Sequence, residues 1–321
     1  MKKSTSKFVY DLIIIGSGPA GLTASIYASR YKMRNLVLGK QAGGTIGLAH
    51  KVENYPGFVS ISGLELMQKM EVQVERLGAE VFYDPAEDIK KTAEGFFQVT
   101  TDLGKSYLGK TLILATGTTR RKLGIPGEEE FLGRGVSYCT TCDAPFFKGK
   151  TVALVGGSDG AVSGAVHTAE FARKVYLIYR KDKLRAEPIW VEQAIANPRI
   201  KTIYNTNVLK IEGDKVVRKV MLDRPHEDSR ELTLDGVFIE IGGIPGTSLA
   251  KIIKVALNEA GFVKVDQQMR TNVAGIFAAG DLTDFRPTFQ QVVTVQAMGA
   301  VAAASAYQYL RKEQAPLQRG A

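Results

Sequence analysis

One event occurs twice in this chain: an apolar strand runs into a glycine turn that opens a helix of small residues. The first copy is FVYDLIIIGSGPAGLTASIYASR at 8–30, the second KTVALVGGSDGAVSGAVHTAEFA at 150–172. Each is followed by another strand-like run, NLVLGK at 35–40 and KVYLIYRK at 174–181. Strand, crossing helix and second strand form a βαβ unit, whose two strands lie parallel in one sheet. Two such units predict an α/β fold with two Rossmann-like nucleotide-binding domains. The 321 residues, 45% of them hydrophobic, suffice for two cores.

The stretches LILATGTTRRKLGIPGEEE (112–130) and DGVFIEIGGIPGTS (235–248) share one order: a strand, a glycine, then a Gly/Pro crossing. They bracket the second βαβ unit. The second domain is therefore expected as an insertion, with 1–121 and 247–321 forming one domain and 122–246 the other. The polar tail EQAPLQRGA is expected to be loose.

Gly16-Ser17-Gly18-Pro19-Ala20-Gly21 fits GxGxxG directly between a strand and a helix. Gly16 permits the tight turn, Gly18 lets a pyrophosphate approach the backbone, and Gly21 lets the helix pack on the strand. The acidic residue that usually holds the ribose is missing, and Lys40 and Gln41 stand in its region. Near the C-terminus, GIFAAGD places Gly280-Asp281 at a strand end. There Asp281 either accepts a hydrogen bond from a ribityl hydroxyl or caps a helix. A glycine turn at one end of the chain and this aspartate at the other suggest a flavin-type cofactor stretched between them.

The second turn, Gly156-Gly157-Ser158-Asp159-Gly160-Ala161, fits GxGxxA only with Ser158 in the middle glycine position. Further on, Arg180, Lys181 and Arg185 in YRKDKLRAE either clamp a ribose 2′-phosphate, favouring NADPH over NADH, or are simply exposed charges.

SYCTTCDAPF (137–146) holds both cysteines of the chain, Cys139 and Cys142, followed at once by Asp143. Two cysteines cannot build a secreted disulfide framework. Nor can they close a four-ligand zinc site, because His50, His167 and His226 are scattered. In a reducing compartment an isolated CxxC is a redox dithiol. The +9 formal charge is dispersed, with Arg120-Arg121-Lys122 the one basic block, which argues against nucleic-acid binding. No run reaches the roughly 18 apolar residues of a membrane helix. The N-terminus lacks a leader with a cleavage site, so a cytoplasmic protein is expected.

In this order the motifs resemble a low-molecular-weight thioredoxin reductase over nearly the whole chain. That family places its CxxC-Asp at the start of the inserted pyridine-nucleotide domain, where Cys139–Asp143 lies. AGGTIGLAHKVENYPGF (42–58) resembles its flavin-contacting segment, with Gly43, Gly44 and Asn54 at matching positions. ATG (115–117), with Thr116 and Gly117, and RAEP (185–188) also match. Gln291 and Val292 fall in the family's Arg-Gln-Ala motif near the flavin.

The resemblance implies an FAD enzyme, usually a homodimer, that passes electrons from NADPH through FAD and the Cys139/Cys142 disulfide to thioredoxin or a thioredoxin-like protein. It assigns Gly16, Gly18, Pro19, Ala20, Gly21, Gly43, Gly44, Asn54, Thr116, Gly117, Gly280, Asp281, Gln291 and Val292 to FAD. Gly156, Ser158, Asp159, Arg180, Lys181 and Arg185 fall to NADPH. Cys142 is then the sulfur on the flavin side, Cys139 attacks the partner, and Asp143 is the acid/base or, alternatively, a helix cap. One CxxC cannot touch flavin and partner together. The family rotates the inserted domain, which makes the Gly/Pro segments near 117–127 and 242–246 hinge candidates.

Several residues depart from the family pattern. Ser158 replaces a glycine, Tyr179-Arg180-Lys181 stands for His-Arg-Arg, and AVSGAV (161–166) lacks the usual acidic residues. Gln290 stands for an arginine and Thr45 for a glutamine. These changes leave two rivals to an NADPH-fed reductase: the same flavin/CxxC enzyme fed by ferredoxin or another carrier, and a flavoprotein redox sensor. A ferredoxin–NADP reductase would not need the CxxC.

Overall fold

The structure is a computed structural model that describes residues 8–314 apart from 286 and 288; the last residues of the tail, 315–321, lie outside the described residues. The chain opens with β1 (Val9–Ile15), α1 (Pro19–Arg30) and β2 (Asn35–Leu38). Then follow α2 (Gly63–Arg76), β3 (Glu80–Phe82), β4 (Ala86–Lys91), β5 (Phe97–Thr101) and β6 (Ser106–Leu114). A first crossing, β7 (Thr118–Arg120), leads to β8 (Val136–Ser137), α3 (Thr140–Asp143), β9 (Thr151–Val155) and α4 (Asp159–Phe171). Next come β10 (Lys174–Ile178), α5 (Pro188–Ala196) and β11 (Ile200–Ile203). A meander of β12 (Val208–Gly213), β13 (Val217–His226) and β14 (Ser229–Thr233) precedes β15 (Gly236–Ile239). The return crossing β16 (Gly243–Pro245) pairs with β7, and α6 (Ser248–Ile252), β17 (Ile276–Ala278) and α7 (Val292–Gln314) complete the chain.

The chain forms two compact units. One comprises the chain through Thr119 and from Pro245 onward, the other Arg120–Ile244. Both crossings fall two residues earlier than the Gly/Pro pattern suggests.

In the discontinuous unit the sheet order is β3-β2-β1-β6-β5-β4, with β17 also on β6. With β1 on one edge, β6 serves two neighbours on the other: Ser106–Gly109 pairs antiparallel with β5, while Leu112–Leu114 pairs parallel with β17. Side chains alternate across a strand, so β1 feeds two cores. Leu12 and Ile14 pack with α1 and α7, while Ile13 and Ile15 pack with Leu36, Leu112 and Leu249 on the other face. Burial on both faces is why LIII reads as a continuous apolar run. The small residues of α1 and α7 have a direct cause. A Cβ on Gly299 would lie 2.1 Å from the Ala20 carbonyl oxygen, so the helices meet nearly backbone to backbone.

In the inserted unit a parallel sheet runs β11-β10-β9-β15-β8, accompanied by the antiparallel meander β12-β13-β14. Val152, Leu154 and Phe238 pack with Ala161 and Ala165 of α4; Ala153 and Val155 pack with Ile211, Val220 and Leu222 of the meander. In each unit the chain proceeds to one side of its first βαβ strand and later returns to the other. That reversal opens a crevice at the strands' C-terminal ends, where α/β proteins bind ligands.

Candidate active site and its two dinucleotide turns

β1 runs into Gly16, whose φ of +126° is a region L side chains rarely adopt, and a Cβ there would sit 2.0 Å from the Ala115 oxygen. Gly21 is required for packing, since its Cβ would fall 1.8 Å from the Gly16 oxygen. Gly18 differs from both. It is the extended N-cap of α1, followed by Pro19 at the first helical position, and the nearest atom to a Cβ there is the Gly43 oxygen at 3.9 Å. Neither backbone nor neighbours demand glycine at 18. The open space suits a phosphate approaching the amides that begin α1.

Four other segments gather at this turn. Gly43 and Gly44 are both left-handed, at φ +69° and +61°, and a Cβ on Gly44 would lie 3.2 Å from the Gly18 Cα. Thr116 N would lie 3.2 Å from a Cβ on Gly16, and Gly117 is left-handed beside it. Gly280, at φ +92°, has room for a Cβ only 3.1 Å from that of Ala20. The Asn54 amide nitrogen donates to Oε1 of Gln291 at 3.0 Å, and Val292 begins α7. Gln290 reaches back to the carbonyl oxygen of Asp281 at 3.1 Å.

Asp281 is the telling residue. Its Oδ1 is buried with no hydrogen-bond partner among the described residues, and burial pushes the carboxyl up to about 6. Buried acceptors are almost always satisfied, so this one fits a hydroxyl donor supplied by a ligand. It caps no helix, because α7 begins only at Val292. Gln41 is tied into the turn. Its side chain donates to the Gly44 carbonyl at 3.1 Å and its own carbonyl accepts from Ser17 at 2.7 Å, so it braces the turn; Lys40 is exposed.

The inserted unit repeats the turn. Gly156 has φ +149°, and a Cβ there would meet the Glu240 carbonyl oxygen at 2.2 Å; one on Gly157 would strike the buried Tyr179 ring at 2.5 Å. Ser158 is the N-cap of α4 but makes no side-chain cap bond. Two hydrogen bonds tie the basic loop to this turn: Arg185 N donates to the Gly157 oxygen at 2.7 Å, and Glu187 N to Asp159 Oδ1 at 2.7 Å. Asp159 therefore positions the loop. Arg180, Lys181 and Arg185 are exposed on it. The sequence reading missed the Arg120–Glu240 ion pair. Its one signal was a charged residue inside the apolar run GVFIEIGG.

Cys139 and Cys142 form a disulfide with Cα atoms 5.3 Å apart. Cys139 is the N-cap of α3, and Cys142 N donates to its Sγ at 3.1 Å; Asp143 N donates to the Cys139 carbonyl at 3.1 Å. Thr140 is buried against α4, where a Cβ on Gly164 would lie 3.0 Å from its Cγ2. The missing side chain at 164 lets the redox turn rest directly on the helix. Asp143 stands at the N-cap of the following 3₁₀ turn (Ala144–Phe147) but makes no side-chain cap bond, so its carboxylate is not used for capping.

The disulfide between residues 139 and 142 and the dinucleotide turn on each unit lie within the stretch that a family model matches. The model for the pyridine nucleotide-disulphide oxidoreductases covers residues 10–303. The chain belongs to that family. Among similar proteins is the thioredoxin reductase of Treponema pallidum (strain Nichols), 42% identical over 304 residues, 94% of this chain and 97% of that one. Among solved structures, the Lactococcus lactis thioredoxin reductase (FR conformation) has a TM-score of 0.89 at 37% identity, covering 94% of this chain and 99% of that chain. The T. acidophilum thioredoxin reductase has a TM-score of 0.88 at 38% identity, covering 94% and 98%.

The similarity is to FAD-binding, NADPH-using thioredoxin reductases of the pyridine nucleotide-disulphide oxidoreductase family. The residues present fit both groups. The open face at Gly18 and the unpartnered Asp281 oxygen fit FAD; the tethered basic loop beside the α4 turn fits NADPH. As an oxidoreductase of this family, the chain has a two-electron couple, Cys139/Cys142, in the same unit as its second dinucleotide turn.

Proposed function

We propose that the chain is an FAD-dependent thioredoxin-disulfide reductase that draws electrons from NADPH and reduces thioredoxin or a thioredoxin-like protein. The observation that carries this reading is the Cys139–Cys142 disulfide, with a backbone amide already directed at the Cys139 sulfur. Bound FAD supplies the electron pair that opens the disulfide. The chain's own residues then take over. The Cys142 amide stabilises Cys139 as a thiolate, the reactive form. This thiolate attacks one sulfur of the partner's disulfide, forming a mixed disulfide and releasing the partner's other sulfur. Cys142 then attacks the Cys139 sulfur, re-forming the internal disulfide and freeing the partner as a dithiol. Asp143 protonates a departing thiolate. Exposed Cys142, Pro145 and Phe146 offer a partner an apolar landing beside the disulfide. The assignments of Gly16–Gly21, Gly43, Gly44, Asn54, Thr116, Gly117, Gly280, Asp281, Gln291 and Val292 to FAD belong to the same reading. So do those of Gly156, Ser158, Asp159, Arg180, Lys181 and Arg185 to NADPH.

A homodimer follows the family resemblance. A cytoplasmic setting follows from the need of an isolated dithiol for reducing surroundings. Among the described residues no helix is long and apolar enough to cross a membrane.

The deciding experiment is an anaerobic titration of the FAD-loaded protein with NADPH and, separately, NADH, followed by turnover of a thioredoxin. NADPH alone should bleach the flavin, and thioredoxin reduction should follow. A flavin left oxidised by both nucleotides would overturn NADPH as donor and turn the search to a protein carrier.

A further inference from the structure

The start of α4 carries an excess of negative charge. Asp159 lies in its first turn, and Oε2 of Glu240 would be 3.7 Å from a Cβ on Gly160 in the same turn. A helix N-terminus offers about half a positive charge, which two carboxylates outweigh. A dinucleotide's pyrophosphate adds roughly two more negative charges, and Ser158 narrows its approach.

One cation is already in place. Arg120 pairs with Glu240 through Nη1 and Oε2. The Glu240 side chain is 10% exposed and that of Arg120 33%, so the carboxylate is the buried partner and the guanidinium the outward one. Burial pushes the Glu240 carboxyl up, and Arg120 opposes that shift. A guanidinium has five N–H donors in a fixed fork. With one directed at Glu240 and the side chain 33% exposed, the guanidinium has further donors to offer a ligand.

We infer that Arg120, held by Glu240, is a pyrophosphate-binding residue at the α4 turn, supplying the charge that the turn's own sequence lacks. The inference rests on NADPH being the donor. Arg180, Lys181 and Arg185 stand on the ribose side, and Arg120 serves the diphosphate. Glu240 is a positioning residue that fixes the guanidinium over the helix N-terminus.

The test measures binding of NADP⁺ and of 2′-AMP to the oxidised, FAD-loaded protein by calorimetry. 2′-AMP carries the ribose phosphate but no pyrophosphate. Arg120→Gln should weaken NADP⁺ about tenfold or more, as for loss of a charge-assisted hydrogen bond, and leave 2′-AMP unchanged. The double variant Arg120→Gln/Glu240→Gln, which also removes the carboxylate that Arg120 compensates, should stay weak for NADP⁺. Unchanged NADP⁺ binding in Arg120→Gln, equal weakening of both ligands, or a double variant as tight as the parent would each overturn the role of Arg120. A parent that binds neither ligand would instead overturn the NADPH reading, and this inference with it.

Discussion

Gly18 of the first turn and Ser158 of the second occupy the same place in their units. Each is the N-cap of its helix, in nearly the same extended backbone: φ −80°, ψ −175° for Gly18 and φ −98°, ψ −179° for Ser158. The backbone at this position accepts any residue, so its size limits only what binds there. Ser158→Gly should therefore lower the KM for NADPH about threefold or more while costing only a few tenths of a kcal/mol of stability, since the serine makes no cap bond. Steady-state kinetics with a parallel urea melt checks both halves.

Gly18 and Gly21 should separate binding from folding. Gly18→Ala meets nothing closer than 3.9 Å, so the apoprotein should keep its stability within about 1 kcal/mol while losing FAD affinity. Gly21→Ala places a methyl 1.8 Å from a carbonyl oxygen and should destabilise the apoprotein by about 3 kcal/mol or more. Urea unfolding of the apoproteins and FAD retention on a desalting column distinguish the two.

Cys142→Ser should leave FAD bound and abolish thioredoxin reduction. With the donor of the backbone hydrogen bond unaltered, Cys139 should remain the thiolate and react rapidly with iodoacetamide near neutral pH. Normal turnover by this variant would refute the relay.

The raised Asp281 pKa sets a pH dependence in the apoprotein. Folding lifts it from 3.8 to about 6, so this group's stabilising contribution is fully present below about pH 4 and is lost as pH rises through about 6. Asp281→Asn should thus make the apoprotein about 3 kcal/mol more stable than wild type at pH 8, with the advantage vanishing toward pH 4. The same variant should lose FAD affinity. Denaturant melts at pH 4, 6 and 8 read the first effect and FAD titration the second.

Arg180→Ala should raise the KM for NADPH far more than that for NADH, because only NADPH carries a 2′-phosphate. An equal effect on both would remove Arg180 from the clamp.

What the sequence showed and hid follows from range. The two turns were legible because Gly16, Gly21 and Gly156 are dictated by local backbone and by the strand–helix contact. Asp281 was ambiguous between cap and ligand until α7 was found to begin at Val292. The bracing role of Gln41 was not legible because its partners, Ser17 and Gly44, depend on how the turn folds back. The Arg120–Glu240 pair was invisible. Its members lie 120 residues apart and meet only because β7 and β15 end near each other. The bond by which Asp159 receives the Glu187 amide was equally invisible, because it depends on how the basic loop folds back.

The packing of α1 on α7 has a consequence for synthesis. Helix α1 leaves the ribosome long before its partner α7, and the Leu112–Leu114 edge waits for β17. The contiguous stretch Arg120–Ile244 is whole long before then. The usual N-terminal-first order is therefore inverted: the inserted unit is complete first, and the turn at Gly16–Gly21 gains its full surroundings only once α7 has been made.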